Sequence, residues 1–306
     1  VFGNGATQIY ISNSNATLLS GSGATIDLSK GSANLSNLSG YGTLTYSGIA
    51  GLVGTKFNDY LIGGGPADSI LEIFNGQQGN DTIDGAGGYD SSNYDSATNG
   101  VSVDLAAGVV SGGTWGTDTL LHVEGIRGTD YDDTFDSRGF GSQSTNAGSL
   151  GTFNLFAPDG GNDVVFGNGN TTVSYVNSWI GVKVDLALGA DALNLGDKSN
   201  PEYAATLGKD TFMGGINAAL GSYQNDLLIG TDTSEPLSAE TLEGEAGNDT
   251  LVGNGGMDWA SYADSPAGIS VDLRKSANQV SDGWGGIDSL QGIEGIRGSY
   301  ADDVVR

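Results

Sequence analysis

The chain has 306 residues, of which 53 are glycine, and its 37 acidic residues against 11 basic ones give a formal net charge of −26. This charge opposes binding to nucleic acid or to an anionic membrane, and no apolar run approaches the roughly 18 residues of a membrane span. The lack of cysteine excludes disulfides, zinc–thiolate sites and a cysteine nucleophile, and the single histidine, His122, argues against a histidine-based catalytic site.

The acidic residues are mostly aspartate, with 29 Asp against 8 Glu. Aspartate favours turns and is a short, hard oxygen ligand. Glycine occurs at about twice its usual share of roughly 7%, and it permits backbone conformations that tight turns need. High glycine content and high net charge are also typical of disorder. The regular placement of valine, isoleucine and leucine favours order instead, so the composition predicts cation-binding turns.

A six-residue motif recurs along the chain. GVSVDL lies at 100–105, and it returns as GVKVDL at 181–186, as GISVDL at 268–273 and, more weakly, as GATIDL at 23–28. Apolar and polar residues alternate in this motif, which predicts a half-buried strand that covers or extends a larger sheet. A glycine-rich segment and a turn follow each copy, so we interpret the chain as four related units.

A longer period pairs these units. VFGNG at 1–5 returns at 165–169, and EGIRG at 124–128 returns at 294–298. The array therefore has the order A-B-A′-B′, in which we expect A and A′ to be degenerate and B′ to be cut from a longer tandem array. The predicted boundaries are 1–74 for A, 75–164 for B, 165–240 for A′ and 241–306 for B′.

Tandem nine-residue segments occur in B and B′. Asp81 and Asp90 are nine residues apart, as are Asp249 and Asp258, and each has glycines five and two residues before it. These segments resemble the nonapeptide G-G-x-G-x-D-x-U-x of the RTX, or haemolysin-type, calcium-binding family, in which U is a large apolar residue. The resemblance is specific over 74–94 and 243–262 and partial at turns elsewhere.

The resemblance implies a fold. In that family two nonapeptides make one coil of a parallel β-roll, and the U residues of successive coils stack into a narrow core. We therefore expect an all-β protein of tandem parallel β-roll or β-helical coils with flanking strands, in which Leu251 points into its coil. In the family the sixth-position Asp and the glycine-turn carbonyls bind Ca²⁺ between adjacent turns, and these are the hard oxygen ligands that Ca²⁺ prefers.

The resemblance also implies a set of calcium ligands, against the alternative that each acid is a turn residue without an ion. The best matches are Asp81, Asp90, Asp249 and Asp258 with the glycines Gly76, Gly79, Gly85, Gly88, Gly244, Gly247, Gly253 and Gly256. Partial matches are Asp59, Asp68, Asp133, Asp163, Asp226 and Asp303. Four acids of the flanking segments are predicted as ligands at the end of a roll, with a solvated polar face as the alternative: Asp118, Glu124, Asp288 and Glu294.

The units differ in their acids. Gln8 in A and Thr172 in A′ stand where the nonapeptide has its sixth-position Asp. We therefore expect B and B′ to bind calcium and the other two units to be mostly apolar spacers.

The predicted function is structural rather than enzymatic. The resemblance implies a calcium-dependent region of a large secreted bacterial surface protein, such as an adhesin, a surface-layer component or an extracellular filament. Such a chain leaves the cell through type I secretion and folds outside it. The alternatives are the calcium-binding accessory region of a secreted protease, lipase or polysaccharide epimerase, and an enzyme built on a β-helix.

The expected partners are calcium ions, with copies of the chain itself or cell-surface polysaccharide as further candidates. Trp115 and Trp284 lie at nearly matching places before their glycine-rich segments. They fit either a sugar-stacking platform or loop aromatics that fold over the end of a roll. Neither nucleic acid nor membrane insertion is expected.

Overall fold

The computed structural model describes residues 2–10, 23–34, 42–64, 71–192, 207–233 and 239–306. The chain divides into two compact units, Val1–Phe156 and Ala157–Arg306. Strands dominate both, which confirms the all-β prediction. No helix in these ranges is long and apolar enough to cross a membrane.

The strands of the first unit are β1 (Phe2–Tyr10), β2 (Thr25–Asp27), β3 (Ser32–Asn34), β4 (Thr43–Thr45), β5 (Ser47–Val53), β6 (Tyr60–Ile62), β7 (Glu72–Asn75), β8 (Thr82–Asp84), β9 (Asp90–Asn93), β10 (Ser102–Asp104), β11 (Val109–Ser111), β12 (Thr117–Leu121), β13 (Gly125–Arg127), β14 (Thr134–Asp136) and β15 (Asn154–Ala157). Two 3₁₀ turns, Leu28–Lys30 and Gly113–Trp115, lie between them.

The strands of the second unit are β16 (Val164–Phe166), β17 (Thr171–Ser174), β18 (Val182–Asp185), β19 (Gly189–Ala192), β20 (Thr211–Phe212), β21 (Ile216–Leu220), β22 (Leu227–Ile229), β23 (Ala239–Glu243), β24 (Thr250–Val252), β25 (Met257–Ser261), β26 (Ser270–Val271), β27 (Val280–Ser281), β28 (Ile287–Gln291), β29 (Gly295–Arg297) and β30 (Val304–Val305).

Successive strands of the first unit alternate between two sheets. One sheet has the order β1-β5-β7-β9-β13-β15, and the other has the order β2-β6-β8-β12-β11-β10-β14. Strands of consecutive coils pair in parallel, as when Leu61 of β6 lies opposite Ile83 of β8. Passing from one sheet to the other and back makes one coil, which is the parallel β-roll or β-helical arrangement expected from the sequence.

The second unit repeats this arrangement. Its sheets have the orders β17-β21-β23-β25-β29 and β19-β18-β22-β24-β28-β27-β26-β30, and β16 pairs with β20. Leu228 of β22 lies opposite Leu251 of β24, which in turn lies opposite Leu290 of β28. The turns between the two sheets of each coil therefore lie one above another, and these turns carry most of the predicted ligands.

The GVxVDL motif forms the first strand of a hairpin that is inserted into a sheet. In the first unit, β10 pairs in parallel with β14 and antiparallel with β11, and β11 pairs antiparallel with β12. Val103 is buried while Ser102 and Asp104 are exposed, which confirms the half-buried strand. The parallel pairing recurs for β2 with β6, β18 with β22 and β26 with β30. In the first unit the strand formed by the motif therefore lies inside a sheet of the roll, between β11 and β14.

Stacked apolar side chains form the core of each unit. Ile26, Leu61, Ile83 and Leu120 occupy matching positions on successive strands and are fully buried. Leu251 is also fully buried, which confirms that it points into its coil. Each such side chain contributes about 1.5–3 kcal/mol by leaving water. The stacking holds the turns of adjacent coils at a fixed spacing.

Candidate metal sites

The four best-matching nonapeptides share one turn conformation. The second residue of each turn is left-handed, with φ of 71° at Gln77, 64° at Ala86, 65° at Glu245 and 65° at Asn254. The fourth residue is a glycine with positive φ: Gly79 (138°), Gly88 (118°), Gly247 (146°) and Gly256 (125°). Residues with a Cβ rarely adopt φ values as large as those of the four glycines. The glycine at the fourth position therefore fixes where the following Asp lies.

Asp163 lies in a turn of the same kind, although the sequence matches the nonapeptide only partially there. Asp159 has φ of 63° and Gly161 has φ of 119°, which are the values at the second and fourth positions above. Pro158 stands where the first glycine would be, and this substitution hides the repeat in the sequence. Asp163 therefore groups with the best matches by geometry.

The first ladder of the first unit consists of Asp59, Asp81 and Asp118, one from each of three coils. The backbone N–H of Asp59 donates to Asp81 Oδ1 at 2.8 Å, and the backbone N–H of Asp81 donates to Asp118 Oδ1 at 2.9 Å. All three carboxylates are buried. The structure thus brings the flanking-segment residue Asp118 next to the nonapeptide residue Asp81.

The second ladder of the first unit consists of Glu72, Asp90 and Glu124. The N–H of Glu72 donates to Asp90 Oδ1, and the N–H of Asp90 donates to Glu124 Oε2, both at 3.2 Å. Gly64 N–H donates to both carboxylate oxygens of Glu72. Sequence reasoning missed Glu72, although Glu240 repeats it 168 residues later, which is the offset between Asp81 and Asp249.

Both ladders recur in the second unit. Asp226 N–H donates to Asp249 Oδ1 at 2.8 Å, and Asp249 N–H donates to Asp288 Oδ1 at 2.9 Å. In the other ladder, Asp258 N–H donates to Glu294 Oε2 at 2.9 Å. Glu294 is exposed, unlike its counterpart Glu124. The flanking-segment acids of both units therefore lie beside nonapeptide acids, as ligands of a shared site would.

Several buried carboxylate oxygens have no hydrogen-bond partner within the described part of the chain. In Asp81, Glu124 and Asp249 the other carboxylate oxygen accepts a backbone N–H of a ladder. The oxygens without a hydrogen-bond partner in the described residues are Asp81 Oδ2, Glu124 Oε1, Asp249 Oδ2, both oxygens of Asp258, and Asp282 Oδ2. A buried polar atom without a partner is costly, and native proteins rarely keep one without an ion or water.

The first glycine of each nonapeptide lies against Oδ2 of the Asp five residues later. A Cβ added to Gly85 would lie 2.6 Å from Asp90 Oδ2, and one added to Gly253 would lie 2.6 Å from Asp258 Oδ2. Backbone carbonyl oxygens, of His122 and Gly292 respectively, lie within 3 Å of the same two points. Carboxylate and carbonyl oxygens thus converge on one small space, which is the donor set of a hard cation.

A second kind of turn has the sequence Gly-Ser/Thr-x-x-Asn/Asp-Asp or close to it. In this turn the Ser or Thr supplies hydrogen-bond donors to the carboxylate of the final aspartate. Asp59 accepts from the backbone N–H of Thr55 at 2.6 Å and from its hydroxyl at 3.0 Å. Asp133 makes the same bonds with Thr129, and Asp226 makes them with Ser222.

Asp303 is exposed and accepts from the hydroxyl of Ser299 and the N–H of Ile269, and the latter bond lowers its pKa. These partial matches therefore differ in environment from the best matches. Asp68 lies outside the described residues.

Burial raises the pKa of the ladder carboxylates. The pKa of Asp81 rises to about 8 because burial is reinforced by the charge of Asp118, and that of Asp249 rises to about 9 for the same reason with Asp288. Burial raises the pKa of Glu124 to about 7. No lysine or arginine is buried anywhere in the described residues. Neutral pH therefore requires either bound protons or bound cations at these positions.

Tyrosines and one further aspartate support the ladders. The Tyr94 hydroxyl donates to Asp118 Oδ2 at 3.0 Å, and the Tyr175 hydroxyl donates to Asp210 Oδ2 at 2.6 Å. Asp210 also accepts from the N–H of Asp163. The 165–240 unit therefore contributes Asp210 to the contacts of the turn that holds Asp163. The signal in the sequence was a tyrosine six residues before the motif glycine in the copies at 100–105, 181–186 and 268–273.

Comparison with models of protein families and with curated proteins returned no match for this chain.

Proposed function

We propose that this chain is a calcium-dependent structural repeat region of a large secreted bacterial surface protein, such as an adhesin, a surface-layer component or an extracellular filament. The observation that carries the proposal is the set of buried carboxylate oxygens that have no donor in the described residues, in turns where backbone carbonyl oxygens also come close. Removing a carboxylate from water without a counter-charge is strongly unfavourable. A bound cation removes this penalty and leaves the ladders intact.

Calcium fits these positions better than other common cations. The donors are carboxylate and carbonyl oxygens, without a thiolate or imidazole, and this excludes the ligand sets that favour zinc or copper. Calcium accepts six to eight oxygens in flexible geometry, whereas magnesium demands a near-ideal octahedron and gives up its water reluctantly. Asp81, Asp90, Asp163, Asp249 and Asp258 are the residues that we assign to calcium first.

The distribution of the acids favours a structural role over a catalytic one. The carboxylates are spread along successive coils of both units, and each accepts a backbone N–H from the neighbouring coil. A catalytic pair would instead converge on one space beside a substrate. Because the ion neutralises charges that oppose stacking, its binding free energy becomes folding free energy.

This coupling suits export. The cation-free chain at net charge −26 repels itself and stays open where calcium is scarce. It then folds where calcium is abundant, outside the cell. The recurrence of the motif strand in four copies, each paired in parallel with the next strand of the roll, favours a long tandem array over the accessory region of an enzyme.

Circular dichroism combined with light scattering tests the proposal. The chain is titrated with calcium and then with excess EGTA, and magnesium is the control ion. We expect a reversible gain of β signal at micromolar to millimolar calcium that magnesium does not reproduce, and growth of scattering if copies assemble. A chain that is fully folded in EGTA and does not respond to calcium would contradict the proposal.

A further inference from the structure

Three acids of the second unit meet outside the ladders. Glu243 ends β23, Glu245 is the second residue of the following glycine turn, and Asp264 follows β25. One carboxylate oxygen from each lies within 4.8 Å of the other two. We call these three residues the lateral cluster.

The first unit holds a neutral version of the lateral cluster. Asn75, Gln77 and Ser96 lie 168 residues before Glu243, Glu245 and Asp264. Gln77 Nε2 donates to Asn75 Oδ1 at 2.8 Å, and Asn75 Nδ2 donates to Ser96 Oγ at 3.4 Å. The turn residue is left-handed in both copies, with φ of 71° at Gln77 and 65° at Glu245. The two copies therefore differ in charge rather than in shape.

No lysine or arginine of the described residues forms an ion pair with the lateral cluster. Glu245 is only 7% exposed, and the charges that act on it are those of other acids, Glu243, Asp264 and Asp226. Asp264 N–H donates to Glu243 at 3.3 Å. Arg297 attracts Glu243, but within the described residues it forms no ion pair with the cluster at 4 Å or less. Three carboxylates therefore lie close together, one of them on a side chain that is only 7% exposed, without an ion pair in the described residues.

We propose that Glu243, Glu245 and Asp264 bind one divalent cation, calcium being the best fit, at a lateral site that the first unit lacks. Two oxygens bound to one calcium at about 2.4 Å lie at most about 4.8 Å apart, and the oxygens of the cluster meet that limit. The site shares its ion with the function proposed above but uses none of the ladder residues, so the two proposals can fail separately.

The first test replaces the lateral cluster with its own neutral counterpart. The variant Glu243→Asn/Glu245→Gln/Asp264→Ser carries the side chains that the first unit tolerates on the same backbone. Bound calcium per chain is counted by equilibrium dialysis and atomic emission at saturating calcium. We expect the variant to keep the β signal of the unaltered chain and to bind one ion fewer. An unchanged ion count would overturn the lateral site and leave the turn sites standing.

The reciprocal variant Asn75→Glu/Gln77→Glu/Ser96→Asp builds the cluster in the first unit. We expect it to bind one ion more than the unaltered chain, and this result tests the site even if the first variant fails to fold. A reciprocal variant that folds without an additional ion would contradict the proposal. If the unaltered chain binds no calcium at all, the proposed function fails as well.

Terbium luminescence localises the ion. Tyr223 lies near the cluster, since burial and then the charges of Glu245 and Asp264 raise its pKa, and its ring centroid is 5.6 Å from that of Trp284. Excitation of these rings should sensitise terbium bound to the lateral cluster. We expect the sensitised emission to fall in the Glu243→Asn/Glu245→Gln/Asp264→Ser variant, and emission that matches the unaltered chain would place the ion elsewhere.

Discussion

Asp59 and Asp81 lie in consecutive coils of one ladder, yet only Asp59 has hydrogen-bond donors to both carboxylate oxygens in the described residues. Thr55 supplies a backbone N–H and a hydroxyl to the Asp59 carboxylate. Gln77 takes the matching position beside Asp81 in a left-handed conformation, and Asp81 Oδ2 keeps no partner in the described residues. The second residue of the turn thus determines whether the turn itself donates hydrogen bonds to both carboxylate oxygens, as at Asp59, or leaves one oxygen without a donor in the described residues, as at Asp81.

At this scale the substitution Asp81→Asn should have opposite effects with and without calcium. In calcium it removes a charged ligand, so we expect a loss of about 2 kcal/mol in the free energy of unfolding and weaker calcium binding. Without calcium it removes a buried charge whose pKa is raised to about 8, so the variant should keep its fold to a higher pH than the unaltered chain. Thermal unfolding in calcium, and the β signal in EGTA as the pH is raised, measure the two effects.

The matched control is Asp130→Asn, which removes one charge from an exposed turn residue. It should leave stability within about 0.5 kcal/mol in both conditions. If Asp81→Asn destabilised the chain equally in calcium and in EGTA, Asp81 would be an ordinary turn residue.

The repeat spacing was enough to identify the sixth-position aspartates, but not the bonds that connect them. Asp118 accepts from Asp81, 37 residues away, because an inserted hairpin lies between their coils. No local pattern encodes that separation, since it depends on which strands pair. Glu72 and Asp210 were missed for the same reason, because their neighbours come from other coils. Asp163 was underrated because Pro158 replaces the first glycine of its turn.

At the scale of elements, the alternation of the GVxVDL motif predicted its half-buried strand, but not its place in the sheet. The hairpin β10–β11 lies between β12 and β14, so one sheet of the roll gains two strands that the other sheet lacks. Alternation reveals which face of a strand is buried. Alternation does not indicate which strand pairs with it, because tertiary packing determines the pairing.

The strand β24 offers a test of the stacked core. Leu251 is fully buried between Leu228 and Leu290, while the adjacent Val252 faces the other way and is half-buried. Leu251→Ala should lower the free energy of unfolding by about 2–5 kcal/mol, because it opens a cavity in a rigid stack. Denaturant unfolding in saturating calcium measures this loss. Val252→Ala is the control and should cost much less; equal losses would contradict the inward orientation of Leu251.

The whole molecule combines a charge of −26 with acids buried between coils. If the proposed cations bind, we expect them to compete with protons for the same carboxylates. Burial raises pKa values in both units, to about 8 at Asp81, about 9 at Asp249 and about 7 at Asp288. In the cation-free fold these groups hold protons that the unfolded chain has already released.

The sign of the pH dependence follows from these raised pKa values. Without calcium, stability is fully present near the ordinary carboxyl pKa of about 4 and is lost as the pH rises through 7 to 9, because the buried groups must then ionise.

In EDTA we expect the melting temperature to fall by about 10 °C, or the fold to be lost, between pH 5.5 and pH 8.5. Saturating calcium should remove most of this dependence and should release protons on binding at pH 7, which a pH-stat detects. The lower limit of pH 5.5 stays clear of the isoelectric point near 4.1, where the chain is least soluble. A melting temperature in EDTA that rises with pH would mean that the protein alone stabilises the buried carboxylates as anions, and the fold would then need no cation.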